Sequence, residues 1–182
     1  MLRHVFGLED TVALLGRTPG ALDVLLRDAP ATLTLRNEGE GTWTVRDVIA
    51  HLVYGERTDW LPRTRMILQC GDSRPFEPFD REASVRQDGA TNELLDEFAR
   101  VRAANLDELR AMHVSVDDLQ RRGLHPALGA VTLGQLLASW AAHDLTHLHQ
   151  IARVMAHQLR EAAGPWRAYM GVMQCGAAKH AP

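Results

Sequence analysis

Apolar residues recur along the chain with the period of amphipathic α-helices. Four long segments show this period, over about residues 7–29, 44–71, 91–112 and 132–164. In the second segment, for example, Val45, Val48 and Leu52 fall on one helix face. We find no alternating strand pattern bounded by hairpin turns. The pattern therefore predicts an all-α protein built as a four-helix bundle, with residues 1–182 forming one domain.

Capping residues set the expected starts of two of these helices. Thr44 and Thr132 are typical N-cap residues, and each has a polar residue three positions later, Asp47 and Gln135 respectively. The dipeptide Gly164-Pro165 is expected to end the fourth helix. A short amphipathic tail follows it.

Proline and glycine indicate the remaining boundaries. Thr18 is expected to cap a restart of the first helix at Pro19. Pro62 is expected to kink the second helix, which ends near Gly71. The next stretch, residues 70–90, is long enough to run the length of the bundle, so the second and third helices need not be antiparallel neighbours.

The composition is that of an ordinary globular chain and excludes several classes of protein. The 182 residues are 46% hydrophobic and 24% charged, which argues against intrinsic disorder. A net charge of −3 argues against nucleic acid as a partner, although all but one of the 20 basic residues are arginine. The mean hydropathy is −0.19, and no apolar run is long enough to span a membrane. The two cysteines and the lack of a signal-peptide pattern favour a cytoplasmic protein.

Two of the nine histidines interrupt the apolar stripe of the fourth segment. His143 and His147 are four residues apart, so their side chains lie one above the other on a single helix face. Trp140 and Ile151 share that face, which marks it as the face toward the core. Buried imidazoles cost free energy unless each has a polar partner, and a divalent metal satisfies both at once.

Three further residues complete the candidate site. His51 lies beside the apolar stripe of the second segment and supplies a third nitrogen if the second and fourth helices pack together. Gln150 shares the face of the histidine pair and is placed to hold a ligand of the metal. Asp144 lies about 100° around the helix from His143 and is expected to orient an imidazole. The residues thus predict a metal held by three histidines, with open coordination positions.

The pattern alone leaves other interpretations open. Histidines four residues apart are common on ordinary helices, and a histidine at position 51 also suits the edge of a core. The other histidines lie in exposed, terminal or loop contexts and receive no role: His4, His113, His125, His149, His157 and His180. The sequence has no nucleophile elbow and no glycine-rich phosphate loop before a helix.

Four stretches of the chain resemble the DinB-like, YfiT-like superfamily of metal-dependent helical bundles. They are residues 43–60, 94–112, 125–155 and 164–170. The third is the most specific, because its HDLTHLHQ fits the family pattern His-x-x-x-His-x-x-Gln. The resemblance implies an up-down-down-up bundle and a metal held by His51, His143 and His147. It also implies zinc or nickel, with iron or manganese as alternatives, and a homodimer.

The resemblance further implies a small-molecule substrate and assigns no catalytic residue. The activity it favours is thiol-dependent S-transfer, in which the metal lowers the pKa of a low-molecular-weight thiol. Two alternatives stay open. One is a metal-dependent hydrolase that activates water, and the other is a non-catalytic, stress-related metal-binding protein.

Overall fold

Helices account for most of the chain. The structure, a computed structural model, describes residues 7–175, so His4 and His180 lie outside it. Its α-helices are α1 (Leu8–Leu15), α2 (Thr18–Leu26), α3 (Ala31–Thr34), α4 (Val45–Thr58), α5 (Trp60–Cys70), α6 (Arg81–Val85), α7 (Thr91–Ala111), α8 (Leu133–Gln158), α9 (Arg160–Ala163) and α10 (Gly171–Gln174). Short 3-10 helices span Asp118–Gln120 and Gly164–Tyr169, and two strands are β1 (Arg122–His125) and β2 (Gly129–Thr132).

The helices form the up-down-down-up bundle that the resemblance implies. Its arms are α1 with α2, α4 with α5, α7, and α8. Glu56 in α4 pairs with Arg102 of α7, and Arg65 in α5 pairs with Glu108 further along α7. The second and third arms therefore run in the same direction, and the crossover at residues 71–90 returns along the length of the bundle.

The fourth arm, α8, runs antiparallel to the second. His51 lies against His147, whereas Glu56, one turn further along α4, binds Trp140, which comes earlier in α8. The first arm packs on both α7 and α8. Within residues 7–175, no helix is both long enough and apolar enough to cross a membrane.

A short β-hairpin, which the sequence pattern did not indicate, precedes α8. β1 and β2 pair antiparallel, with Gly123 opposite Val131. Each strand is four residues long and contains a glycine, which is too short and too irregular to show an alternating pattern. The amide of Phe76 donates to the carbonyl of Leu124 at 2.8 Å and ties the crossover to this hairpin.

The predicted caps of the two long helices are confirmed. The Thr44 hydroxyl accepts from the amide of Asp47, and the Thr132 hydroxyl accepts from the amide of Gln135. The prediction that Thr18 caps α2 is wrong, because Thr18 already lies within the helix and its hydroxyl donates back to the preceding turn.

Pro62 interrupts the second arm one turn earlier than expected. α4 ends at Thr58, and Asp59 separates it from α5 with φ −111° and ψ −67°. Because Pro62 has no N–H, it cannot donate to the carbonyl of Thr58, and the helix breaks there. α8 likewise ends at Gln158, before the expected stop at Gly164.

A layer of polar side chains divides the buried core in two. One apolar cluster includes Ile49 and Phe98, and the other includes Leu106 and Trp140. Buried polar positions that fall between these clusters along α4, α7 and α8 are Glu56, Arg102, Asp144, His147 and Gln150. His51 lies one turn before Glu56 in α4, beside residues of the first cluster. The candidate site therefore lies in the middle of the bundle.

Replacing Gly123 with alanine is expected to lower the free energy of unfolding by about 1–3 kcal/mol. A Cβ there would lie 2.5 Å from Cζ of Phe76 and 2.7 Å from Cγ1 of Ile67, so the hairpin would have to move off the bundle. Gly20→Ala is the matched control, because a Cβ there meets nothing within 4 Å. Urea unfolding followed by circular dichroism measures both, and equal stability of Gly123→Ala and wild type would contradict this close packing.

Candidate metal centre

Three histidines from two helices bring one ring nitrogen each to a common point. Nε2 of His143 lies 3.1 Å from Nε2 of His51 and 3.0 Å from Nε2 of His147. The candidate ligand atoms of the three residues all lie within 4.8 Å of one another. His51 comes from α4 and the other two lie one turn apart on α8, so the antiparallel packing of α4 and α8 assembles the cluster.

The crossover holds His51 in one tautomer. Nδ1 of His51 lies 3.1 Å from the hydroxyl of Ser84 in α6, and that hydroxyl donates its single proton to the carbonyl of Arg81 at 2.7 Å. Ser84 therefore accepts a hydrogen bond from Nδ1–H of His51. The lone pair of this imidazole is consequently on Nε2, which faces the other two histidines.

Gln150 does the same for His147. Its Oε1 lies 2.8 Å from Nδ1 of His147. An amide oxygen only accepts, so Nδ1 carries the proton and Nε2 carries the lone pair. Gln150 is buried on the face of α8 that also carries the two histidines, as the sequence pattern predicts. Its contact is with the ring of His147, a candidate metal ligand.

His143 is held by packing rather than by a hydrogen bond at its outer nitrogen. Its ring meets Trp60 edge-on at a centroid distance of 5.1 Å, and Trp60 stacks on Trp140 at 5.9 Å. Among the described residues, none is a hydrogen-bond partner for its buried Nδ1. Burial, followed by the two neighbouring imidazoles and the charge of Arg102, holds the pKa of His143 well below its usual value. The ring is therefore neutral, as a metal ligand must be.

This donor set fits a divalent metal. Nε2 of His51 and Nε2 of His147 each carry a lone pair and lie at hydrogen-bond distance from Nε2 of His143. The single proton that this nitrogen of His143 can carry forms a hydrogen bond with only one of the two. A cation at the common point satisfies all three nitrogens. Two nitrogens bound tetrahedrally at about 2.0–2.1 Å lie about 3.3 Å apart, close to the 3.0 and 3.1 Å separations in the structure. Imidazole nitrogens suit zinc, nickel, copper and iron.

Asp144 has a different partner from the one predicted. We expected its carboxylate to orient an imidazole, but it accepts from Arg102 at 2.6 and 2.9 Å. Arg102 also donates to Glu56 at 2.8 Å, and Glu56 accepts from the indole N–H of Trp140 at 2.8 Å. Because Asp144 lies about 100° around α8 from His143, its side chain reaches α7 instead of the histidine cluster.

This charged network places a net negative charge beside the histidines. Glu56 and Asp144 supply two carboxylates against the one guanidinium of Arg102, and none of the three side chains is more than 1% exposed. Burial opposes the charge on Arg102, but hydrogen bonds to Asp144 and Glu56 outweigh it and raise the pKa of Arg102. A buried net negative charge favours a cation nearby, because the interior screens it weakly.

Sequence reasoning missed several residues that support the site. The sequence did contain an indication for Arg102, because a charged residue stands within the apolar stripe of α7, four residues after Phe98 and four before Leu106. Glu56 is likewise a charged residue in the apolar stripe of α4, four residues after a buried leucine. For Ser84 the sequence contained no such indication, because it lies in the crossover and its role depends only on where the crossover packs.

The histidine cluster lines an open pocket of about 840 Å³. Trp43 and Phe79 form aromatic walls, with ring centroids 5.0 and 5.3 Å from that of His51. Arginines of the lining are Arg63, Arg81 and Arg153. Among the described lining residues, Asp59 is the one carboxylate, and it pairs with Arg63 at 2.7 Å. A pocket of this size and composition suits a small molecule.

Removing the hydrogen-bond partners of Nδ1 in His51 and His147 is expected to weaken metal binding without abolishing it. Ser84→Ala and Gln150→Ala each delete the acceptor that fixes a tautomer, and such changes typically cost about 10–100-fold in metal affinity. Competition with a chromophoric zinc chelator measures the loss. Thr146→Ala is the control, because Thr146 lines the same pocket but donates to the carbonyl of Ala142. Wild-type affinity in all three variants would show that these partners do not hold the rings.

Comparisons with known proteins identify the family and the fold. The sequence profile of the DinB superfamily matches residues 14–151. Among solved structures, the chain is similar to YfiT from Bacillus subtilis, a probable metal-dependent hydrolase with an unusual four-helix bundle topology. That match has a TM-score of 0.70 and 19% sequence identity, and it covers 89% of this chain and 93% of that chain. No curated protein matches the chain significantly.

Proposed function

Because the chain belongs to the DinB superfamily, we propose that it is a metal-dependent enzyme whose metal is held by His51, His143 and His147. The observation that carries the proposal is the convergence of the three Nε2 atoms, two of them with their outer nitrogens fixed by Ser84 and Gln150. The family resemblance favours zinc or nickel, with iron or manganese as alternatives, and three imidazole donors suit zinc, nickel and iron.

The reaction that we propose is thiol-dependent S-transfer to an electrophilic small molecule. A divalent metal supplies a Lewis acid that lowers the pKa of a low-molecular-weight thiol, so that a thiolate is available at neutral pH. The chain holds the ligand nitrogens in the required tautomers through Ser84 and Gln150. Trp43 and Phe79 place aromatic surface beside the cluster, which offers an electrophilic small molecule apolar contact.

The lining of the pocket supports a thiol rather than water as the nucleophile. Hydrolysis needs a base that takes a proton from water. Outside the three-histidine cluster, the described lining offers three candidate bases, which are Asp59, His125 and His149. The Asp59 carboxylate is paired with Arg63 at 2.7 Å. Nδ1 of His125 already accepts from two backbone amides, and His149 is exposed. A thiol ionises near pH 8.5 even when free, so a modest lowering of its pKa replaces such a base.

Hydrolysis is the second candidate, because YfiT, which shares the fold, is a probable metal-dependent hydrolase. The same three histidines would hold the metal in that case. The two reactions differ in whether a thiol must be added, which makes them separable in one assay.

The test is an assay of protein loaded with zinc or nickel, with and without a thiol such as cysteine or glutathione. 1-Chloro-2,4-dinitrobenzene reports S-transfer through the absorbance of its thioether, and p-nitrophenyl acetate reports hydrolysis. We expect metal-dependent acceleration that requires the thiol and disappears in His51→Ala. Hydrolysis without thiol would favour the second candidate, and a metal-loaded protein inactive in both assays would argue for a non-catalytic role.

The sequence pattern supports two further proposals, on domain organisation and location, and the family resemblance supports a third, on oligomeric state. Residues 1–182 form one domain, the protein is a homodimer, and it acts in the cytoplasm. Light scattering coupled to size-exclusion chromatography tests the oligomeric state, since a mass of one chain would exclude the dimer.

A further inference from the structure

A histidine outside the three-histidine cluster lines the same pocket. His125 ends β1, and its half-buried ring packs on that of Phe76 with a centroid distance of 6.3 Å and an interplanar angle of 88°. Phe76 is itself buried beneath the hairpin. The hairpin therefore brings a rigidly packed imidazole to the pocket from an element that supplies no candidate metal ligand.

The turn of the hairpin fixes the tautomer of His125. The backbone N–H groups of Ala127 and Leu128 donate to its Nδ1 at 3.1 and 3.2 Å. Two donors at one nitrogen require a lone pair there, so the proton of the neutral ring is on Nε2. Burial, followed by the charge of Arg63, lowers the pKa of His125 below its usual value, which keeps the ring neutral at pH 7.

Nε2–H is consequently the hydrogen-bond donor that His125 offers to a ligand. In an imidazole the two nitrogens lie on different sides of the ring, so a ring whose Nδ1 faces the turn directs Nε2 away from it. No other group of the described residues accepts a hydrogen bond from this nitrogen.

The charges around the pocket favour an anionic acceptor. Arg63 is paired with Asp59 and Arg153 with Glu38, both at hydrogen-bond distance. The guanidinium of Arg81, also in the lining, has no ion-pair partner within residues 7–175. Among the side chains of the lining, Arg81 thus leaves one positive charge without a counter-charge.

We infer that His125 contacts the substrate, with its Nε2–H donating a hydrogen bond to a carboxylate of the substrate on the hairpin side of the pocket. The inference rests on the proposed function, because it assigns a substrate-binding residue to the hairpin side of the same pocket. The substrate class is then a two-ended molecule, with a group for the three-histidine cluster at one end and a carboxylate at the other. His125 is a specificity-determining residue in this scheme.

Two substitutions separate the two nitrogens of His125. In His125→Asn, the side-chain oxygen replaces Nδ1 as acceptor for the turn, and the donor at the Nε2 position is lost. In His125→Gln, the amide nitrogen reaches the Nε2 position, and the acceptor for the turn is lost. His157→Gln is the matched control, because His157 lies on α8 outside the pocket lining.

The probes are hydroxamates, which bind zinc through their oxygens. Acetohydroxamate reports on the metal alone, and the monohydroxamates of succinic, adipic and suberic acid add a carboxylate at increasing distance. Their dissociation constants are measured by calorimetry on zinc-loaded protein. Long-range ¹H–¹⁵N spectra of the same protein report the tautomer of His125.

We expect the spectra to show the Nε2–H tautomer of His125. We expect at least one of the three carboxylate-bearing hydroxamates to bind about tenfold more weakly to His125→Asn than to wild type. His125→Gln should bind that probe nearly as wild type does but unfold at a lower temperature. All variants should bind acetohydroxamate equally. An Nδ1–H tautomer, wild-type affinity of His125→Asn for every probe, or an equal loss for acetohydroxamate would overturn the inference. Failure of zinc-loaded wild type to bind acetohydroxamate would instead count against the proposed function.

Discussion

Replacing His147 with alanine is expected to abolish stoichiometric metal binding. His147 supplies one of three converging nitrogens, 3.0 Å from that of His143, and its ring is already fixed by Gln150. Catalytic zinc sites use three protein ligands and leave one position open, so two histidines do not form such a site. The loss of metal affinity should exceed the roughly 100-fold upper value expected when the side chain of Ser84 or Gln150 is removed. Elemental analysis of the purified variant, with chelator competition, measures it.

The control for this variant comes from the same helix. His149 lies two residues further along α8 and lines the pocket, but it is exposed and outside the cluster. His149→Ala should therefore bind metal as wild type does. Circular dichroism confirms that both variants keep their helices. Undiminished metal affinity in His147→Ala would remove this residue from the site.

Replacing Arg102 with alanine is expected to lower the free energy of unfolding by about 3–5 kcal/mol. The substitution leaves the carboxylates of Glu56 and Asp144 buried without their counter-charge, although Trp140 still donates to Glu56. The cation that binds them is 1% exposed, so water does not replace it without opening the core. Since small domains are stable by only about 5–15 kcal/mol, the variant should unfold at much lower urea concentration.

An exposed arginine of the same helix is the matched control. Arg100 pairs with Glu97 at 2.6 Å but is 68% exposed, and such surface pairs contribute about 0–1 kcal/mol. Arg100→Ala should change the urea midpoint little. A midpoint for Arg102→Ala as close to wild type as that of Arg100→Ala would mean that the network adds nothing to stability.

A rescue experiment tests whether the unpaired carboxylates cause this loss of stability. Replacing Arg102, Glu56 and Asp144 together with apolar residues of similar size should recover much of the stability, as buried ion pairs can be exchanged for hydrophobic contacts. If the triple variant is as unstable as Arg102→Ala, side-chain volume is not sufficient, and the core requires the hydrogen-bonded charges themselves.

Most features set by local sequence were predicted correctly, with the cap at Thr18 as an exception. The caps at Thr44 and Thr132 and the helix ending before Gly71 depend on residues within one turn of each other. The hairpin was missed because its strands are held by the bundle, through Gly123 packed against Phe76, and not by an alternating pattern of their own. Pro62 interrupted the helix as expected, but the break fell one turn earlier, after Thr58, whose carbonyl lacks the N–H that Pro62 cannot supply.

The sequence by itself determined the amphipathic helices and the one-turn spacing of His143 and His147, because both follow from the 3.6-residue period of a single helix. Only the tertiary structure decided that His51 meets this pair, that Ser84 holds its ring, and that Asp144 turns to Arg102. Each of these contacts joins residues far apart in the chain, and their direction depends on how α4, α7, α8 and the crossover pack. The period of a single helix carries no information about that packing. The three-histidine cluster is therefore evident only once the helices and the crossover are packed together.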